Sequence, residues 1–114
     1  MRARLLASTL VLGVAATGAL AGPASAARSC PAVKNPYAGT RDEGADLNGI
    51  RATGVSCSTA RKVVRGAHRK ALGMTPTGPV RRYTWNGWKV TGDLRGNRDS
   101  YTARKGGKVV RWRF

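Results

Sequence analysis

The chain has 114 residues and carries 21 lysines and arginines against five acids, a formal net charge of +16. A chain of this length forms one small domain at most, and its excess of positive charge favours contact with polyanions. Five acids and one histidine leave few groups for acid–base chemistry, so we expect no enzyme and no cofactor.

Residues 1–26 have the layout of a secretory signal peptide. Two arginines precede an uncharged apolar run over residues 5–20, and Ala24 and Ala26 supply the small residues of a cleavage site. The run has about 16 residues, whereas a membrane-spanning helix needs about 20. We predict cleavage after Ala26. The product is a secreted, extracellular protein of 88 residues with no transmembrane segment and a charge near +14, since both arginines are removed.

Residues 27–47 are predicted to form an N-terminal arm, because they contain two prolines and show neither a helical nor a strand period. The chain has two cysteines, Cys30 and Cys57, and we expect them to pair in an oxidising compartment. Closing this loop removes about 3 to 4 kcal/mol of unfolded-state entropy. The disulfide would tie the arm to a small domain of residues 48–114.

The first part of that domain predicts a short strand around Ile50 followed by an amphipathic helix. Ser56 is a suitable N-cap, and Gly73 would end the helix after Leu72. The apolar positions recur with helical spacing at Ala60, Val63, Val64, Ala67 and Ala71. These residues are predicted to face the core.

A basic stripe runs along the other side of the predicted helix. The helix stripe consists of Arg61, Arg65 and Arg69. A spacing of four residues places them on one surface, and the helix contains no carboxylate to relieve their repulsion. Folding does not explain the stripe, so we interpret it as an anion-binding candidate. His68 is interpreted as a surface residue of the same helix.

The C-terminal part of the chain turns to β-type residues. Near the end, apolar and basic side chains alternate, with Val110, Trp112 and Phe114 on one side and Arg111 and Arg113 on the other. The turn Lys105-Gly106-Gly107 connects this strand to one over residues 101–104, which predicts a hairpin.

The preceding stretch, RRYTWNGWKVTG, allows two structures. Asn86-Gly87 can form a two-residue type I′ turn that sets Trp85 opposite Trp88. Alternatively, the stretch is one long strand bent at Gly87 by a bulge. We favour the bent strand, because it pairs with the next strand across a long loop, residues 92–98. The predicted class is therefore α+β, with one amphipathic helix packed on a small antiparallel sheet of three to four strands and stapled by one disulfide.

The segments GIRATGVSCSTARKVVRGAHRK, NGWKV and TARKGGKVVRWRF are similar to those of a group of small uncharacterised secreted proteins and C-terminal modules from actinobacteria. The resemblance spans most of residues 48–114 and implies only the fold and secretion. Where that group often has a second cysteine pair, this chain has Val90 and Ala103. The absence of both cysteines together is expected if the two positions face each other on neighbouring strands.

Catalytic and metal sites are not expected. Cys57 and His68 are eleven residues apart on one helix, roughly 16 Å, so they cannot form a nucleophile–base pair. A structural zinc site needs four ligands, and two cysteines with one histidine do not supply them. The acids of DEGADLNG lack the alternating spacing of a calcium-binding loop.

Two functions remain. A monomer could associate with anionic polymers, such as teichoic-type polymers or extracellular DNA, through the helix stripe together with Arg111 and Arg113. Four aromatic residues could offer stacking platforms for unpaired bases: Tyr83, Trp85, Trp88 and Trp112. However, so small a domain needs these side chains for its hydrophobic core. The alternative is a protein-recognition or inhibitor module that binds another secreted protein through residues 92–98.

Overall fold

The computed structural model describes residues 26–75 and 78–114, in which the chain forms six β-strands and one α-helix. The elements are β1 (Arg28–Ser29), β2 (Asn48–Thr53), α1 (Cys57–Leu72), β3 (Val80–Trp85), β4 (Trp88–Asp93), β5 (Ser100–Lys105) and β6 (Lys108–Arg113). The predicted signal peptide, except Ala26, lies outside the described residues. Among those residues, no helix is long and apolar enough to cross a membrane.

All six strands form one antiparallel sheet in the order β1-β2-β6-β5-β4-β3, and α1 lies against β2, β6 and β3 on one side of it. The prediction of three to four strands is therefore wrong. One missed strand is β1, which has two residues and cannot show a period of two. The other arises because the stretch around Asn86-Gly87 forms two strands.

The Asn86-Gly87 turn closes a hairpin between β3 and β4. Both residues have positive φ, 46° and 81°, as a type I′ turn requires, and Trp85 pairs with Trp88. The bent strand that we favoured is wrong, and the hairpin alternative is confirmed. Because β4 continues to Asp93, the connection to β5 comprises residues 94–99 rather than the predicted 92–98.

The helix begins and ends where the sequence predicted. The Ser56 hydroxyl accepts the Thr59 N–H at 3.2 Å, and the predicted core positions are all buried. Gly73 follows the last helical residue with φ of −87°, so its position does not require the left-handed backbone that favours glycine. Its N–H donates to the Lys70 carbonyl at 3.1 Å.

The N-terminal arm is held to the sheet by a covalent bond and by backbone pairing. The predicted disulfide between Cys30 and Cys57 is confirmed, with Cα atoms 5.4 Å apart. The Cys30 N–H donates to the Ile50 carbonyl at 2.9 Å. Further along, Val33 and Leu47 form an antiparallel bridge, and both are fully buried. The arm therefore contributes to the core.

The core lies between α1 and the inner face of the sheet. Strand register brings one row of inward side chains together, namely Tyr83, Val90, Ala103, Val110 and Ala52. Val90 lies directly opposite Ala103, which confirms the expectation that these positions face each other. The rings of Tyr101 and Trp112 stack with centroids 5.3 Å apart at the centre of this core.

Two glycines let aromatic rings lie against the backbone. A methyl group added at Gly66, in the middle of α1, would overlap the Trp85 indole, which packs on the helix there. At Gly92 in β4, an added Cβ would lie 2.5 Å from Cε2 of the buried Tyr101 ring. Both positions exclude a larger side chain unless the ring moves.

Candidate anion-binding surface

The side of the sheet opposite α1 forms a basic surface, which we call the outer face. Successive residues of a strand point to opposite sides, so the residues between the buried ones project outward. Six of these outward residues are exposed cations: Arg51, Arg82, Lys89, Arg104, Arg111 and Arg113. They come from β2, β3, β4, β5 and β6, which are neighbours in the sheet.

Strand register places these cations in rows. The central row consists of Arg82, Thr91, Thr102, Arg111 and Arg51. Neighbouring strands are about 4.8 Å apart, so this row spans about 19 Å. Two threonines lie between its basic ends, and their hydroxyls add hydrogen-bond donors to the surface.

The acid on this face is already paired. Asp93 lies at the end of β4 and accepts a hydrogen bond from Arg95 Nη2 at 2.8 Å, and hydrogen bonds from Arg95 lower the pKa of its carboxyl to about 2. Within the described residues, the other ion pair joins Lys34 and Asp46. None of the six outer-face cations has an acidic partner in that part of the chain, so their positive charge is uncompensated.

The predicted anion-binding residues do not form one surface. Arg111 and Arg113 lie on the outer face, whereas the helix stripe lies on the opposite side of the sheet. The separation follows from β6, whose Val110 and Trp112 point toward α1 and whose arginines point away. Four outer-face cations were not predicted as anion-binding residues: Arg51, Arg82, Lys89 and Arg104. Each alternates with inward residues, but only the strand order brings them together.

The helix stripe is partly used in folding. Arg61 Nη2 donates to the Ala32 carbonyl at 3.2 Å, so this guanidinium holds the arm against the helix. Arg65 and Arg69 remain exposed. A cleft of about 340 Å³ at the start of α1 is lined in part by Arg61, Lys62 and Arg65.

The aromatic residues face the core rather than a ligand. Trp88 and Trp112 are 5% and 1% exposed, respectively. Tyr83 donates its hydroxyl hydrogen to the Ala67 carbonyl at 2.6 Å, and Trp85 lies on α1 at Gly66. In the described part of the chain, no aromatic ring belongs to the outer face. The structure therefore does not support the stacking platform for unpaired bases.

His68 is completely buried, so its interpretation as a surface residue is wrong. Its Nδ1 accepts the indole N–H of Trp112 at 3.1 Å, and its ring centroid lies 4.3 Å from that of Phe114. Burial, with a smaller contribution from the charge of Arg81, lowers the pKa of His68 to about 4. The imidazole is therefore neutral near pH 7. Its Nε2 has no hydrogen-bond partner among the described residues.

Within the two described ranges, no three side chains of His, Cys, Asp or Glu cluster as they would around a metal ion. No protein-family model, curated protein or solved structure matches this chain.

Proposed function

We propose that the chain is a small secreted basic protein that associates with anionic polymers through its outer face and catalyses no reaction. The observation that carries this proposal is the set of six exposed cations on five neighbouring strands, on a face whose acid is already paired. The layout of residues 1–26 and the disulfide support secretion.

A surface of this kind favours polymer backbones over bases. Cations that neutralise phosphates release condensed counterions, which supplies affinity without reading a sequence. Threonine hydroxyls can donate to phosphate oxygens between the charged contacts. Base recognition in single strands relies on aromatic stacking, and the rings of this domain face its core. Phosphodiester polymers, among them teichoic-type polymers and extracellular DNA, meet these requirements.

The helix stripe is a weaker candidate for the same role. Of its three arginines, Arg61 is engaged by the arm. On the same helix, Lys70 Nζ donates to the Thr84 carbonyl at 2.6 Å and is likewise used in folding. A single helix also presents a narrower surface than five strands do.

Two matched triple variants test the proposal. The outer-face triple is Arg82→Gln, Lys89→Gln and Arg104→Gln, and the helix triple is Lys62→Gln, Arg65→Gln and Arg69→Gln. Each removes two arginines and one lysine, all of them exposed. We expect the outer-face triple to elute from immobilised duplex DNA at a lower NaCl concentration than the wild type, because each lost phosphate contact lowers the salt slope by about 0.9.

The helix triple should elute close to the wild type in a gradient from 50 to 500 mM NaCl. Equal losses in both triples would mean that net charge, and not the outer face, determines retention. An earlier elution of the helix triple would assign binding to α1. Either result would contradict the proposal.

A protein-recognition module remains the second candidate, because the loop of residues 94–99 is fixed at both ends. The Leu94 N–H donates to the Pro79 carbonyl at 2.8 Å, and the Phe114 N–H donates to the Asp99 carbonyl at 3.0 Å. A rigid loop loses little entropy on binding. Capture of one stoichiometric protein from culture supernatant, unaffected by 500 mM NaCl, would favour this function over polymer binding.

A further inference from the structure

Three arginines from three separate elements meet around a cleft at one end of the outer face. The cleft has a volume of about 320 Å³. Its arginines are Arg51 from β2, Arg113 from β6 and Arg98 from the loop between β4 and β5. Ser29 and Asn48 also line it. This volume lies at the lower limit for ligand sites, so the cleft suits a small group rather than a length of polymer.

A β-bulge lies at this cleft, and its residues line it. The pairing of β2 with β6 shifts between Asn48 and Arg51, so two residues of β2 lie opposite one of β6. The exposed residue of the bulge is Gly49, with φ of 61°. Because Gly49 has no side chain, the side chain of Arg113 can lie close to its backbone. The stem of Arg113 passes over it, with Cγ and Cδ 3.8 Å from where a Cβ would lie.

Backbone hydrogen bonds fix the main chain at two of the cleft arginines, Arg113 and Arg98. Asn48 and Ser100 both pair with Arg113, which places the end of β6 between β2 and β5. The Phe114 N–H donates a hydrogen bond to the Asp99 carbonyl at 3.0 Å. This bond connects the loop that carries Arg98 to the end of β6. Arg51, Arg98 and Arg113 therefore line one cleft although they come from separate elements.

The positive charge of the cleft has no acidic counterpart. No acidic side chain of the described residues lines the cleft. The two ion pairs in that part of the chain do not involve the three cleft arginines. Like charges that converge repel one another, and a bound anion would relieve that repulsion. The guanidinium fork matches the oxygens of a phosphate and can bind them in pairs.

We propose that this cleft binds a terminal phosphate group, that is, a phosphomonoester dianion or inorganic phosphate. The inference rests partly on the proposed function, because Arg51 and Arg113 also belong to the outer face. It adds a distinct site: the outer face holds the diester backbone of a polymer, and the cleft receives a phosphorylated end.

Titrations at pH 7.5 and constant ionic strength test the cleft, monitored by the amide resonances of Gly49 and Ser100. Inorganic phosphate and glycerol phosphate represent the two sources of the group, and dimethyl phosphate is the diester control. We expect saturable shifts with the first two ligands and no saturation with the diester. Tighter binding of glycerol phosphate than of inorganic phosphate would identify the esterified end as the source, and the reverse would identify the free ion.

The variant Arg98→Gln should weaken phosphate binding about tenfold, because it removes a charge-assisted contact. Arg98 is exposed and lies in a loop, so this change should leave the fold intact. Its matched control is Arg41→Gln, which removes the same charge from an exposed position of the N-terminal arm outside the cleft and should retain the wild-type affinity for phosphate. Equal weakening in both variants, or equal binding of the diester, would overturn the cleft proposal.

The two proposals can fail separately. The outer-face triple leaves all three cleft arginines in place, so it should lose retention on duplex DNA and keep phosphate binding. If phosphate does not bind while that triple still reduces DNA retention, the cleft inference alone is wrong. If phosphate binds while DNA retention is unaffected by the triple, the polymer-binding proposal alone is wrong.

Discussion

The buried His68 should make the stability of the domain depend on pH in a defined window. In the folded chain, burial lowers the pKa of this imidazole from 6.5 to about 4, whereas the unfolded chain regains the ordinary value. Above pH 6.5 both states are neutral and the group contributes no pH dependence. As the pH falls from 6.5 to 4, the unfolded state binds the proton first, so the folded state loses stability.

The magnitude follows from the two pKa values. Their difference corresponds to about 3 kcal/mol, lost at up to about 1.4 kcal/mol per pH unit. That is a large share of the roughly 5 to 15 kcal/mol that stabilises a typical domain. The chain has one histidine, so no second imidazole titrates in the window. The pKa of the Asp93 carboxyl is lowered to about 2, so the stability that this group contributes is lost only below about pH 4, outside the window of His68.

Urea unfolding monitored by tryptophan fluorescence between pH 7.0 and 4.5 measures this loss. We expect the free energy of unfolding of the wild type to fall by about 2 to 3 kcal/mol over that range. His68→Gln keeps an acceptor for the Trp112 N–H but does not titrate, so its stability should stay nearly constant. A wild-type curve without slope would refute the buried neutral histidine, as would equal slopes in the two proteins. If the variant fails to fold, the imidazole resonance of the wild type reports the pKa directly.

Three further predictions concern the fold. Gly66→Ala should destabilise the domain by about 1 to 3 kcal/mol, because the methyl overlaps the Trp85 indole. Helix propensity alone predicts that this change raises the stability by about 1 kcal/mol. That gain should appear in a Trp85→Ala background, where the indole is absent. Replacing both Cys30 and Cys57 with alanine should lower the free energy of unfolding by about 3.5 kcal/mol, for a sequence separation of 27; an unchanged urea midpoint would contradict this. Gly87→Ala should cost about 1 kcal/mol in the same assay, because its φ of 81° disfavours a side chain; a more stable variant would exclude the left-handed turn.

Local patterns predicted the parts of the fold that local interactions determine. The spacing from Ala60 to Ala71 and the cap at Ser56 predicted α1, and alternation predicted β6 and its hairpin. The same helical spacing also places His68 on the core face, since it lies four residues after Val64. We instead interpreted it by residue type, and that choice led to the error.

Long-range pairing determined what the sequence did not reveal. β1 is too short to show a period, and its strand character comes from pairing with β2. The outer face depends on β2 lying beside β6, which is remote in the chain. For that reason we predicted Arg111 and Arg113 as anion-binding residues but grouped them with the helix stripe, which faces the other way.

Threonine methyl resonances provide the most direct test of where an anionic polymer binds. Thr91 and Thr102 lie in the central row of the outer face, whereas Thr59 lies at the start of α1, one turn before Lys62. On titration with a short DNA duplex at low salt, we expect the methyl signals of Thr91 and Thr102 to shift and that of Thr59 to remain unchanged. Shifts at Thr59 with none at Thr91 and Thr102 would contradict the assignment of the outer face as the binding surface.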